Sequence, residues 1–277
     1  MNNTATNPAA SSTAPSAPAP QQPLLLERNG AIATLRFNRP EALNAIDVPM
    51  ANAFLTAVQS IAADLGVRAV VLRGNGRGFM AGGDLATLRA DPVQGAIDIL
   101  TPLNAALQLL AQMNAPVIAQ VHGAAAGAGL SLVLMADYVI AAEGTRFNLA
   151  YINLGTSCDV GASWALPRIV GVRQALEIAL LGEAFTADDA LRLGLVNRVV
   201  PSAELDSTTA ALAQRLAAGP TLAYGAMKRL MRASMDHTLP EQLAAEKDAF
   251  VHCAGTEDFR AGVEAFHQRQ SPQFVGR

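Results

Sequence analysis

Residues 117–130 read Val117-Ile118-Ala119-Gln120-Val121-His122-Gly123-Ala124-Ala125-Ala126-Gly127-Ala128-Gly129-Leu130. An apolar run with β-branched residues passes into glycine and alanine and then into the helical stretch Gly127 to Leu134. That is the order of a buried strand, a tight turn and a helix. A further strand, Tyr138 to Ala142, follows, so the segment reads as a strand–helix–strand unit with a right-handed crossover. Small residues at the turn serve either close helix packing or the approach of a ligand to backbone N–H groups, and local reading leaves both open. His122 stands alone and reads as a structural histidine.

Upstream the same order recurs. Val70 to Leu72 is a short buried strand, Gly74 to Gly78 a loop, and Phe79-Met80-Ala81-Gly82-Gly83-Asp84-Leu85 leads into a helix with Asp84 in the capping position. Gly74-x-Gly76-x-Gly78 matches neither a dinucleotide fingerprint nor a lysine-bearing phosphate loop. Two small-residue turns at strand ends can instead aim two N–H groups at one point, which a developing oxyanion requires. Nearer the start, Leu24 to Glu27 and Ile32 to Phe37 read as strands around Arg28-Asn29-Gly30, and Asp47 caps a helix running to about Asp64. Thr101 to Met113 is a further helix.

Beyond Ala142 the strands thin out. Helical patterns span Gly161 to Val170, Val172 to Leu181, Thr186 to Leu193, Ala203 to Ala217, Thr221 to Ser234, Pro240 to Cys253 and Thr256 to Gln268. In the segment Leu154 to Arg168, Asp159 stands just before Gly161 and a helical run, the local pattern of a cap or turn residue. Cys158 beside it has no histidine nearby and reads as a small buried residue.

Composition bounds the rest. Of 277 residues, 51% are hydrophobic and 16% charged, which predicts extensive buried surface, part of it between subunits. A net charge of −3 offers no basic field for nucleic acid or an anionic membrane. Two cysteines make no disulfide framework, which suits a reducing cytoplasm, and the apolar runs are too short to cross a bilayer. Residues 1–23 are uncharged and rich in Ala, Pro, Ser and Thr, a composition that predicts a disordered tail without secretory or transit features. The expected organisation is a tail over 1–23, an α/β core over 24–200 and a helical region over 201–277.

The three glycine- and aspartate-bearing segments, preceded by Asn38-Arg39-Pro40-Glu41-Ala42-Leu43-Asn44-Ala45 and followed by Phe266-x-x-x-x-Ser271-Pro272-Gln273-Phe274, occur in one order. In that order the chain resembles the enoyl-CoA hydratase/isomerase (crotonase) superfamily from about Ala31 to Arg277. Within it, the chain is most similar to the phenylacetate-pathway ring-epoxide isomerases and their Δ3,Δ2-enoyl-CoA isomerase relatives. The resemblance implies a crotonase-type spiral of ββα units with a helical C-terminal region forming trimers or dimers of trimers. It implies a coenzyme A thioester as substrate, with no separate cofactor and no metal. By motif position, the N–H groups of Gly83 and Ala128 form the oxyanion hole. Ala81, Asp84 and Leu85 lie against the coenzyme A moiety, with Tyr151 in the acyl site. Phe250, Phe266 and Arg269 fall where the C-terminal helices meet the adenosine and phosphate end of coenzyme A, often across a subunit boundary.

The departures from the family pattern point to the reaction. The two glutamates with which family hydratases activate water are replaced by Ser131 and Tyr151. A hydroxyl and a phenol with a pKa near 10 are poor proton acceptors at neutral pH. Asp159 falls where the epoxide-isomerase group carries its one acidic residue. One carboxylate suffices for an allylic shift, taking a proton from C2 of a 3-enoyl thioester and returning it at C4. Asp159 also matches the nucleophilic aspartate of 4-chlorobenzoyl-CoA dehalogenase, but Thr101 to Met113 lacks the histidine which that chemistry needs. Hydratase activity, dehalogenase or hydrolase activity, and acyl-CoA binding without turnover stand as alternatives. The pocket wall is expected from Leu88, Ile97 and Leu100, with Tyr151 and Trp164 beside them.

Overall fold

The computed structural model of the protein describes residues 22–277. The predicted tail lies outside them except for Gln22 and Pro23. Those two are tied to the fold, since their carbonyls accept from Asn38 Nδ2 at 2.9 Å and Asn38 N–H at 2.8 Å.

β1 (Leu24–Asn29) and β2 (Ile32–Phe37) form the antiparallel hairpin expected around Gly30. α1 (Val48–Ala63) starts where Asp47 accepts from the Met50 N–H at 2.9 Å, and it buries Met50, Phe54, Val58 and Ile61 on one helical face. β3 (Ala69–Gly74) and α2 (Leu85–Ala90) come next. α3 (Pro92–Gln112) begins nine residues before the expected Thr101, because Asp91 caps it at Gln94 N–H and Pro92 suits its first turn. β4 (Val117–Val121), β5 (Ala124–Ala126), α4 (Ala128–Met135), β6 (Tyr138–Ala142) and β7 (Arg146–Asn148) then alternate.

α5 (Ala162–Leu181) joins the two predicted helices across a kink at Gly171, whose φ of 78° a helix cannot hold. β8 (Phe185–Thr186), α6 (Ala187–Arg192) and β9 (Arg198–Val200) lead to α7 (Leu205–Ala217), α8 (Thr221–Ala233), α9 (Leu239–Ala254) and α10 (Glu257–Gln268).

The main sheet has the order β1-β2-β3-β4-β6-β9, parallel from β2 onward, and a smaller sheet has the order β5-β7-β8. Single parallel bridges extend the smaller ladder, pairing Ile46 with Gly83 and Met80 with Ala125. Successive turns of the chain therefore deposit one strand in the main sheet and a shorter extended piece in the second layer, a spiral of strand–strand–helix turns.

The inner face of the main sheet packs Phe37 against Phe54 and Phe79, each ring pair 5.7 Å apart, beneath α1 and α3. Each such fully buried ring contributes roughly 1.5–3 kcal/mol. The outer face is covered by α7, which buries Ala213 on Val71 and Ile118 and Leu205 on Ile140 and Ala142. Gln120, buried in β4, finds its partner there in Asp206 Oδ1 at 2.6 Å. The expected boundary near residue 200 thus separates two stretches of sequence that share one packed layer, because β4 is buried on both faces and needs α7 as its cover. α8 is anchored at Asp137, which takes Lys228 Nζ at 2.6 Å and Arg232 at 2.8 Å. α9 and α10 project further and leave Leu243, Phe250, Val251 and Phe266 exposed.

Candidate active site

The bridge between Met80 and Ala125 sets the register of the site. Met80 N–H donates to Ala124 O at 3.0 Å and Ala126 N–H to Met80 O at 2.9 Å, so the two small-residue segments run side by side. Three residues beyond each bridge partner lie Gly83 and Ala128. Along the first segment the N–H groups of Phe79, Met80, Ala81 and Asp84 are all engaged, as are those of Ala126 and Gly127 along the second. The N–H groups of Gly83 and Ala128 donate to no other described residue, and both residues border one cavity. Ala128 opens α4, where orphan N–H groups and the helix dipole favour negative charge. Gly127 adopts φ 51° and ψ −123°, open only to glycine, and so turns the chain from the ladder into the helix.

Asn44, quoted above only as part of a motif, holds the first segment in place. Its fully buried side chain accepts from Arg39 N–H at 2.9 Å and donates to Asn75 O and Gly78 O at 2.9 Å and to Phe79 O at 3.1 Å. A lone Asn in a loop carries no periodic signal, so sequence reading gave it no role.

The cavity has a volume of about 680 Å³. It brings together Ala81, Gly83, Leu85, Ala128, Tyr151 and Asp159, with Leu88 and Leu100 on its apolar wall. Asp159 is not a cap, since Gly161 occupies that position in α5. Its carboxylate accepts from the Tyr151 hydroxyl, and Tyr151 lies 3.0 Å from Ser131 Oγ, which is fully buried on α4. The residues on either side of this contact, Ala150 and Val160, both have positive φ, 55° and 53°. A β-branched residue there is strained backbone, held by the packing around it.

Burial pushes the Asp159 carboxyl above its ordinary value, with the Tyr151 hydrogen bond working in the other direction. Burial, followed by the charge and hydrogen bond of Asp159, drives the Tyr151 phenol well up, so it stays protonated and donates.

Other expected site residues lie elsewhere. The Asp84 side chain caps α2 at the N–H groups of Ala86 and Thr87 and pairs with Arg39 at 2.9 Å. Partial burial opposes the effect, yet Arg39 and those N–H groups hold Asp84 below the usual carboxylate range, and the carboxylate does not line the cavity. Ile97 is exposed on α3 rather than in the wall. Trp164 faces away from the cavity and lies under the Arg168 guanidinium, 4.2 Å from its ring centre, because the α5 face it occupies turns toward α8.

Phe250, Phe266 and Arg269 do not reach the cavity within one chain. Phe250 meets Phe259 edge-on on α9 and α10, Phe266 is 82% exposed, and Arg269 ends α10 in the left-handed region. Among the described residues no group of three or more His, Cys, Asp or Glu could hold a metal ion, and no helix is long and apolar enough to cross a membrane.

A sequence profile described as Enoyl-CoA hydratase/isomerase matches residues 27–277. The chain belongs to the enoyl-CoA hydratase/isomerase family. It is 37% identical to the 1,2-epoxyphenylacetyl-CoA isomerase of Escherichia coli over 89% of this chain and 95% of that protein. It is 36% identical to the 2,3-dehydroadipyl-CoA hydratase of the same organism over 92% and 99% of the two chains. Among solved structures, the enoyl-CoA hydratase of Mycobacterium smegmatis superposes with a TM-score of 0.86 at 34% identity, covering 92% of this chain and 99% of that one. The spiral is therefore the crotonase fold, and isomerase and hydratase relatives of this family are about equally similar.

Proposed function

We propose that this family member is an acyl-CoA isomerase. It shifts a 3-enoyl double bond to the 2-position or rearranges a ring epoxide, through an enolate whose oxygen sits between the N–H groups of Gly83 and Ala128. Asp159 takes the C2 proton and returns it further along the chain. One observation carries this reading: among the described residues Asp159 is the single carboxylate bordering the cavity, with Tyr151 bonded to it and Ser131 bonded to Tyr151 where family hydratases carry two glutamates. The raised carboxyl of Asp159 makes it a stronger base than an ordinary aspartate, which suits removal of a proton beside a thioester. The two backbone donors lower the enolate by about 3 kcal/mol each. The substrate itself carries the coenzyme A, and no further cofactor is required.

Homotrimers, or pairs of them, fit the exposed apolar side chains of α9 and α10 and would bring Phe250, Phe266 and Arg269 to a neighbouring cavity. Hydratase relatives support a second reading in which Asp159 activates water for addition to a 2-enoyl thioester.

The deciding experiment feeds a 3-enoyl-CoA and crotonyl-CoA separately to wild type and Asp159→Asn. Isomerisation that exceeds hydration and collapses in the variant supports the isomerase. Equal isomerisation in both proteins removes Asp159 as the base, and hydration equal to or faster than isomerisation favours the hydratase.

A further inference from the structure

Ser131 has two hydrogen-bond choices for one hydroxyl. Its Oγ lies 3.0 Å from the Tyr151 oxygen and 3.2 Å from the Gly127 carbonyl, to which the Ser131 N–H also donates at 3.0 Å. The Gly127 carbonyl and the Ala128 N–H belong to a single peptide unit. A continuous chain of contacts therefore runs from the Asp159 carboxylate through Tyr151 and Ser131 to the amide that borders the cavity at Ala128.

We infer that Ser131 and Tyr151 are positioning residues that couple the Asp159 carboxylate to the Ala128 N–H, the Ser131 hydroxyl turning from Tyr151 to Gly127 as charge moves. The inference rests on the reading of Asp159 as the base. Before reaction Asp159 is anionic and draws the Tyr151 proton, which enriches the phenol oxygen and makes it the better acceptor for Ser131. When C2 gives its proton to the carboxylate, the C–H electrons pass into the enolate and the negative charge appears on the thioester oxygen. That charge polarises the Gly127–Ala128 amide and enriches the Gly127 carbonyl, which then becomes the better acceptor. Ser131 turns toward it and strengthens the Ala128 donor. Return of the proton at C4 neutralises the enolate and resets the chain. The proton passes from C2 to Asp159 and from Asp159 to C4, so none is exchanged with solvent at either step.

The geometry also explains why Tyr151 stands where a free carboxylate oxygen is needed. Its hydroxyl occupies Asp159 Oδ1, while Oδ2 has no partner among the described residues. Among the described residues, the other titratable side chains near Asp159 are its neighbour Cys158, which packs against the core, and Arg89, which lines the cavity from α2. α4 and the turn at Tyr151–Leu154 present no further charge.

The test is the pH dependence of kcat/KM on a 3-enoyl-CoA for wild type, Tyr151→Phe, Ser131→Ala, the double variant and Asp159→Asn. Tyr151→Phe removes a hydrogen bond to the carboxylate, so its acidic limb moves to higher pH. Ser131→Ala moves the limb the same way by less and lowers kcat roughly three- to tenfold with little change in KM. The double variant loses less than the product of the two single losses, as expected for one chain. An infrared titration of the Asp159 carboxyl reads the same order of shifts without turnover. A limb that stays at the wild-type position in Tyr151→Phe, or losses that multiply, overturns the coupling while an inactive Asp159→Asn leaves the base in place. Full activity of Asp159→Asn overturns the base and the coupling together. Where Tyr151→Phe does not fold, the limb shift of Ser131→Ala decides alone.

Discussion

A β-carbon on Gly129 would stand 2.3 Å from the Met80 carbonyl oxygen and 2.9 Å from the Met80 β-carbon. The close packing of α4 on the Met80 ladder and the placing of the Ala128 N–H are thus one feature: the absence of a side chain at 129 lets the two segments meet.

Gly129→Ala is expected to destabilise the protein by about 1–3 kcal/mol in chemical denaturation, since the neighbour is backbone and cannot rotate away. Gly83→Ala serves as its contrast. A β-carbon there meets only Leu88 at 3.7 Å, so that variant keeps wild-type stability and its N–H donor.

Asn44→Ala leaves the Asn75, Gly78 and Phe79 carbonyls without their buried donor. A loss of about 1–3 kcal/mol is expected. The loop that carries Gly83 is then less tightly held, so kcat falls more than the folded fraction does, which a denaturation curve and an activity assay on one preparation separate.

Asp159 ties activity and stability to pH in opposite senses. As a base it must be ionised, so kcat/KM drops as pH falls through a carboxyl value raised above the ordinary range by burial. Its raised folded value means that the native state binds this proton more tightly than the unfolded chain. The charge therefore costs stability above the folded value, and the cost disappears below the unfolded one. Asp159→Asn should melt at a higher temperature than wild type at neutral and alkaline pH, with the gap closing as pH drops through the carboxylate range.

Asp137 is the anchor of α8. Lys228, with its side chain 8% exposed, reaches it at 2.6 Å, Arg232 at 2.8 Å, and the Val117 N–H donates to it at 2.8 Å. Asp137→Ala strands a buried ammonium, and burial already holds Lys228 below its ordinary value. Breaking such a buried pair costs about 3–5 kcal/mol. Thermal or urea unfolding measures it, and Asp137→Asn should recover part of the loss by keeping the acceptor for Val117 and Lys228.

Much of the fold was legible because its signals are local. Asp47, Asp84 and Thr256 cap helices through contacts two or three residues away, and the apolar runs at Ile32–Phe37, Val117–Val121 and Tyr138–Ala142 are long enough to declare themselves. β5, β7, β8 and β9 were not legible, since two or three residues hold no period and pair only with strands distant in sequence. The start of α3 was missed because its stretch from Pro92 to Leu100 includes exposed Val93 and Ile97, which blur an amphipathic pattern.

The amino-acid sequence by itself determined the order of strand, small-residue turn and helix that makes the crotonase spiral. It also put Gly83 and Ala128 at two small-residue turns and Asp159 in a third segment just before a helix, because hydrophobic period and glycine freedom act over a few residues. Only the tertiary structure decided that the Met80–Ala125 bridge sets Gly83 beside Ala128, and that Tyr151 touches both Ser131 and Asp159. These are contacts between residues eight to twenty positions apart or more, fixed by ladder register and by burial rather than by neighbouring chain. The same burial holds Tyr151 protonated and raises Asp159, a property of the folded environment that neither residue carries in the unfolded chain.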